Sequence, residues 1–173
     1  MTATKQAEAL QLLIRDHKKV KSLYSRFQKL EEDGDAEKQE IIEQVCQMLT
    51  AHVKLEEELF YPALRGRIDD PALLAEAYVE HDEAKGLIAR LQSEELDGEE
   101  RDAVFTVLCE YVDHHVQEEE KELFPKVRKA DVDLKALGAE MAERKAELAE
   151  ELGIDEEDGD AKGDETKGAS RKK

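Results

Sequence analysis

One eleven-residue pattern occurs twice in this chain and limits what the rest of it can build. The first copy reads His52-Val-Lys-Leu-Glu56-Glu57-Glu58-Leu-Phe-Tyr-Pro62, the second His115-Val-Gln-Glu-Glu119-Glu120-Lys-Glu-Leu-Phe-Pro125. In each, a glutamate follows the histidine by four residues and a proline follows by ten. Positions i and i+4 of an α-helix lie one above the other on one face. Each copy therefore presents an imidazole and a carboxylate side by side, as a helix does when it offers two ligands to one metal ion. Glutamate is abundant here, so one copy would carry little weight. Two copies matched through to the proline are not a coincidence.

The repeat extends upstream. Asp16-His17-Lys-Lys-Val-Lys21-Ser-Leu23 aligns with Glu80-His81-Asp-Glu-Ala-Lys85-Gly-Leu87, at separations of 35 and 34 residues from the second histidine of each half. Cys46 and Cys109 each precede that second histidine by six residues. The chain is thus two similar helical hairpins, and four of its five histidines occupy equivalent positions.

Apolar periodicity assigns the helices. Leu10, Leu13, His17, Val20, Tyr24 and Phe27 recur at steps of three and four, a core-facing stripe on a first helix from about residue 4 to Glu32. Gly34 is expected to close it and Asp35 to cap a second helix over 36–64, striped by Ile41, Val45, Met48, His52, Glu56 and Leu59, with a kink near Pro62. Asp70-Pro71 opens a third helix, with Leu74, Tyr78, His81, Ala84, Ile88 and Leu91 facing inward until Asp97-Gly98. A fourth helix over 99–129 carries Val104, Leu108, Tyr111, His115, Glu119 and Leu123. Short connections make this an all-α, antiparallel up-down-up-down four-helix bundle over residues 1–130. Residues 131–153 read as an additional C-terminal helix, amphipathic through Leu134, Leu137, Met141, Ala142, Leu148 and Leu152 and closed by Gly153. Residues 154–173 have almost nothing to bury and read as a disordered acidic, Gly- and Lys-containing tail.

Composition narrows the function. A net charge of −18 disfavours nucleic acid and anionic membranes as partners, because both require basic surface. No apolar run reaches the length of a membrane span, and the opening Met-Thr-Ala-Thr-Lys-Gln lacks a signal-peptide core. Two cysteines give no disulfide framework, so a cytoplasmic location is expected.

A lone histidine on an apolar stripe is ordinarily a hydrogen-bonded core residue. Four of them, one per helix, converging with two carboxylates are different. Glu56 and Glu119 buried without compensation would cost several kcal/mol each, and a dinuclear metal centre removes that cost. His17, His52, Glu56, His81, His115 and Glu119 are the expected ligands. At ~100° per residue, Glu57, Glu58, Glu118 and Glu120 turn off the stripe and read as solvated flank, although a supporting role behind the histidines stays open. His114 turns away in the same manner. Tyr24, Tyr78 and Tyr111 lie on the ligand face as core filling, each within reach of a bound small molecule. Cys46 and Cys109 read as buried apolar side chains, and Lys21 and Lys85 as surface lysines.

On these residues the chain resembles the hemerythrin-like family, the HHE cation-binding domain. The resemblance rests on Asp16-His17, His52-x-x-x-Glu56-Glu57…Pro62, Glu80-His81 and His115-x-x-x-Glu119-Glu120…Phe124-Pro125, and covers about residues 8 to 130. It implies two iron ions in a non-haem centre bridged by carboxylates and an oxo or hydroxo group. His17 and His52 would serve one iron, His81 and His115 the other, with Glu56 and Glu119 bridging. Mn or Zn suits the same donors as a substitute. The chain departs from the oxygen-carrying members, having Lys85 where they have a further histidine, and Glu120 where they bridge with an aspartate. The more symmetric ligand set leaves open positions on both irons. The leading expectation is a soluble di-iron protein that binds O2, peroxide or a similar small ligand for oxygen, iron or redox sensing, storage or detoxification. The alternative is a di-iron oxidoreductase that decomposes hydrogen peroxide or oxidises ferrous iron with the same residues. A metal-free helical interaction module is a third reading, and it leaves six converging polar groups unexplained.

Overall fold

The amphipathic stripes bury themselves against one another. In the computed structural model, which describes residues 8–31, 34–93 and 95–155, the helices are α1 (Glu8–Gln28), α2 (Asp35–Leu55), α3 (Tyr61–Leu64), α4 (Pro71–Ser93), α5 (Gly98–Glu118), α6 (Phe124–Lys129) and α7 (Leu134–Leu152). α2 runs into α3, and α5 into α6, each through a five-residue π-helical turn, Glu56–Phe60 and Glu119–Leu123. The molecule is the expected all-helical bundle: α1 packs on α2, α4 on α5, α1 on α5 and α2 on α4.

The π-turns are what the two prolines require. Pro62 and Pro125 have no N–H to donate, and in a regular helix each ring would press on the carbonyl four residues earlier. The expected kink takes the form of a widened turn in which the Tyr61 and Phe124 N–H groups reach back five residues, to the Glu56 and Glu119 carbonyls. Each helix thereby continues without ending, and both π-turns begin at a glutamate of the doubled motif.

Two details differ from expectation. α1 ends at Gln28, before Glu32, because Lys29 and Leu30 close as tight turns onto Arg26 and Phe27. Gly34 is the N-cap of α2 with φ −84° and not a left-handed closure of α1. A Cβ there would lie 3.2 Å from Leu30 Cβ, so close packing explains the glycine. Asp35 is the first residue inside α2, and its carboxylate accepts from Arg101 at 2.6 Å. Asp97 caps α5 by accepting from the Glu100 N–H at 2.8 Å, and Asp133 caps α7 from Ala136 at 3.0 Å.

The apolar core divides in two. One cluster joins Leu10, Leu13, Leu55, Phe60, Tyr61 and Phe124 with Leu137, Met141 and Leu148 of α7. The other joins Val20, Phe27, Ile41, Val45, Phe105 and Leu108, together with Cys46 and Cys109. The motif residues lie between the two along every long helix. α7 packs on α1, α2 and the first π-turn. Its Leu148 and Met141 are fully buried, whereas Ala142, placed on the inward stripe by sequence, is exposed and Ala149 is buried instead. Gly153 ends α7 at φ 67°, a left-handed conformation that glycine adopts without steric cost. Of the expected tail 154–173, Ile154 packs on the core and Asp155 is exposed; positions 156–173 lie outside the described residues.

Deleting a fully buried leucine removes transfer energy and leaves a cavity, so Leu148→Ala is expected to lower stability by about 2–5 kcal/mol. Ala142→Ser, on the exposed face, should change it by less than about 0.5 kcal/mol. Urea unfolding midpoints of the two variants check whether α7 is integral to the bundle.

Candidate metal centre

Each long helix brings one histidine inward between the two apolar clusters, and all four imidazoles are buried. They form two edge-on pairs of near-identical geometry. His17 and His52 have ring centroids 4.9 Å apart at 66°, and His81 and His115 have centroids 4.9 Å apart at 62°. Glu56 and Glu119 project from the starts of the π-turns and are 0% and 3% exposed.

Every Nδ1 faces a carboxylate: His17 that of Glu120 at 2.8 Å, His52 that of Asp16 at 3.1 Å, His81 that of Glu57 at 3.1 Å, and His115 that of Glu80 at 2.5 Å. An Nδ1–H donating outward to a carboxylate leaves Nε2 unprotonated and aimed inward. The pattern is symmetric across the repeat. Asp16 and Glu80 each precede one histidine and hold another in the same half, whereas Glu57 and Glu120 each hold a histidine of the opposite half. Glu57 and Glu120 are thus partners of the ligand histidines and not merely solvated flank, while Glu58 pairs outward with Arg144 at 2.7 Å. His114 is exposed and pairs with Glu118 at 3.0 Å, away from the cluster as expected.

The inward atoms crowd together. His17 Nε2 lies 3.2 Å from His52 Nε2 and 3.3 Å from Glu119 Oε2. His52 Nε2 lies 3.3 Å from Glu56 Oε1, and His81 Nε2 lies 3.1 Å from Glu56 Oε2. Glu56 Oε1, Glu119 Oε2 and His115 Nε2 are buried without a hydrogen-bond partner. Such an assembly of acceptors needs positive charge among them. Ligand atoms about 2.1 Å from a shared ion and at right angles to one another are about 3.0 Å apart, close to the spacing here. The donor set and its geometry fit metal. Among the described residues, two buried groups have their ligand atoms within 4.8 Å of one another, His17, His52, Glu56 and Glu119, and Glu56, His81 and His115, while a third, Glu80, His114 and Glu118, is partly exposed. Glu56 belongs to both buried groups.

The electrostatics of the metal-free protein express the same demand. Burial alone would depress His52, but the Glu56 carboxylate and the hydrogen bond to Asp16 lift it well above the ordinary imidazole range. His81 is raised against its burial by Glu56. Burial pushes Glu56 up, yet His52 and His81 outweigh it and hold the carboxyl well below its usual range.

A seventh residue enters the site. Tyr61 is completely buried, and its hydroxyl lies 3.1 Å from Glu119 Oε1, 3.3 Å from Glu56 Oε2 and 3.3 Å from His81 Nε2. Burial, and the Glu119 and Glu56 carboxylates, push its ionisation well above the ordinary tyrosine range, so it keeps its proton. The π-turn puts it there, because residues five apart stack when the turn is widened. Its counterpart in the repeat is Phe124. Tyr61 stacks on His81 (5.4 Å, 30°) and Phe124 on His17 (6.2 Å, 12°), so shape is conserved between the halves and the hydroxyl is not. Sequence reasoning considered the other three tyrosines. Tyr78 packs edge-on against Tyr61 at 5.3 Å, Tyr24 sits among Phe27 and Phe105, and Tyr111 lines a small cavity beside the four histidines. That cavity is about 20 Å³, room for one water-sized molecule, and Asp16 and Glu80 line it together with aliphatic side chains such as Val20, Leu49 and Val112.

The family model of the hemerythrin HHE cation-binding domain matches residues 8–127. The chain belongs to this family. A DNA nickase from Nostoc sp. is 34% identical over 126 residues, covering 72% of this chain and 35% of that protein. This HHE chain therefore spans about a third of that relative's length. The crystal structure of a hemerythrin HHE cation-binding domain-containing protein from Mycobacterium kansasii has the same fold, with a TM-score of 0.67 and 22% identity over 82% of this chain and 86% of that one.

Removing either buried carboxylate or either flanking one should have distinct effects. Glu119→Ala and Glu56→Ala are expected to abolish binding of most of the metal, whereas Glu120→Ala and Glu57→Ala, which only release an imidazole Nδ1, should weaken it about 10–100-fold. Co2+ titrations followed by visible absorption compare the four. The raised His52 and His81 must lose protons to accept metal, so affinity should increase as pH rises through and beyond about 6.5. An affinity independent of pH in that range would contradict the ligand role of these histidines.

Proposed function

We propose that this HHE domain binds two iron ions, one with His17 and His52 and the other with His81 and His115, with Glu56 and Glu119 between them, and that the centre takes O2 or a related small molecule. The observation that carries this reading is the set of buried atoms Glu56 Oε1, Glu119 Oε2 and His115 Nε2 that have no hydrogen-bond partner, the first two each 3.3 Å from an imidazole Nε2, of His52 and His17. A bound iron pair supplies reversible electron exchange with O2 or peroxide. The chain supplies the rest. Asp16, Glu57, Glu80 and Glu120 hold the imidazoles in one tautomer and one orientation. The 20 Å³ cavity suits a diatomic or similarly small guest and is too small for a hydrated ion. Tyr61 holds a hydroxyl proton among the inward atoms Glu56 Oε2, Glu119 Oε1 and His81 Nε2, outside the lining of that cavity.

That proton also favours the second reading, decomposition of peroxide, where a proton must be delivered and recovered without solvent. We do not extend the reading to DNA. The nickase activity belongs to the name of a longer relative, and a net charge of −18 opposes a polyanion. No helix among the described residues is long and apolar enough to cross a membrane. The free, buried Cys46 and Cys109 accord with a cytoplasmic setting.

Protein purified from iron-replete cells should contain about two iron atoms per chain and absorb in the near ultraviolet through ligand-to-metal charge transfer. Iron-reconstituted protein holding only a trace of metal would end this reading. Oxygen evolution from peroxide separates the two functions. Steady turnover that drops at least about tenfold in Tyr61→Phe at unchanged iron content supports the enzyme, and negligible turnover in the unmodified protein supports the binder.

A further inference from the structure

The two halves of the centre are each backed by a lysine, but the lysines do not come from equivalent places. In one half, Lys85 Nζ donates to both oxygens of Glu57 at 2.8 and 2.9 Å, and Glu57 accepts from His81 Nδ1 at 3.1 Å. The repeat places Lys21 opposite Lys85. Lys21 does not fill that role, being 76% exposed with its ammonium 3.6 Å from Asp113, a position where the first half has Thr50. The charge arrives from outside the repeat. Lys145 of α7 donates to Asp16 Oδ1, and Asp16 Oδ2 accepts from His52 Nδ1 at 3.1 Å. α7 lies beyond the segment that the family model matches, residues 8–127.

We infer that Lys145 is a positioning residue for the metal position served by His17 and His52, supplied by α7 and acting through Asp16 and His52 as Lys85 acts through Glu57 and His81 for the other position. This rests on the metal reading above. A carboxylate shared between an ammonium and an imidazole N–H is held in one rotamer and gives up part of its charge to the cation. Asp16, 13% exposed at its side chain, is thereby kept pointing at His52 without drawing the Nδ1 proton away, and Nε2 stays aimed at the centre. Arg144, the neighbouring residue on α7, makes ion pairs of equal quality with Glu58 at 2.7 Å, Glu147 at 3.0 Å and Glu151 at 3.1 Å, none of which touches an imidazole. It is the built-in control for mere attachment of the helix.

The test is Co2+ titration of the metal-free full chain, with thermal melting of each metal-free variant alongside. The unmodified protein is expected to bind two ions. Lys145→Met should weaken one of the two about 10–100-fold and spare the other. Lys85→Met should likewise weaken one, the double variant both, and Lys145→Arg should retain both. Arg144→Met should leave both affinities unchanged, whatever it does to the melting temperature. If Lys145→Met fails to fold, Lys145→Gln takes its place with the same expected split. The inference is overturned if Lys145→Met leaves both affinities within about twofold, weakens both equally, or is reproduced by Arg144→Met. An unmodified protein that binds no ion would overturn the metal reading itself, and this inference with it.

Discussion

The structure depends on the hydrogen bond from an imidazole Nδ1 to a carboxylate, made four times. In a neutral ring each such bond keeps the proton on Nδ1, so that the inward-facing nitrogen is the one able to bind a cation. Repeated on four helices, it places four lone pairs and two carboxylates in a buried layer with too few protons to go round. An unoccupied layer of this kind is a liability to folding, since partly satisfied buried polar groups cost more than an apolar core. Bound cations would turn that liability into a tie between α1, α2, α4 and α5, because each of these helices would then hold the same small charged object.

The apolar clusters on either side make this possible. Above and below the polar layer the bundle is packed with Leu, Val, Ile and Phe, so the helices are held in register whether or not the layer is neutralised. The near-twofold repeat makes the two ligand halves alike, down to the matching edge-on histidine pairs. The departures from symmetry are therefore informative. Tyr61 against Phe124 gives one half a hydroxyl, and α7 covers α1 and α2. Two halves built from one plan are thus made chemically unequal.

Much of this was legible in the residues, and the reasons are physical. The stripe spacing of His17, Val20 and Phe27, or of His52 and Glu56, is a direct record of helix geometry, so the bundle and the six inward groups could be read from it. What escaped was whatever depends on departures from that geometry. Tyr61 lies five residues after Glu56, off the face in a regular helix, and comes back onto it because the turn before Pro62 is π-helical. The sign was present in the mismatch of Tyr61 with Phe124 inside an otherwise matched motif. Glu57 and Glu120 turn off their own stripe, as expected, but that direction leads to a histidine of the neighbouring hairpin, which single-helix reasoning cannot see. The partnership of Lys145 with Asp16 crosses more than a hundred residues of chain and leaves no periodic trace.

The two cysteines close the account of how such a site can live inside a protein. Burial pushes the Cys46 thiol up to about 12 and Cys109 still further. Since the thiolate is the reactive form, a thiol of that kind is ionised in only about one molecule in 10⁵ at neutral pH. The bundle therefore carries its sulfur as inert filler, packed in the apolar cluster beside the layer of histidines and glutamates. Sulfur placed in this way is spared from being the first thing that any oxidant reaching the core would attack.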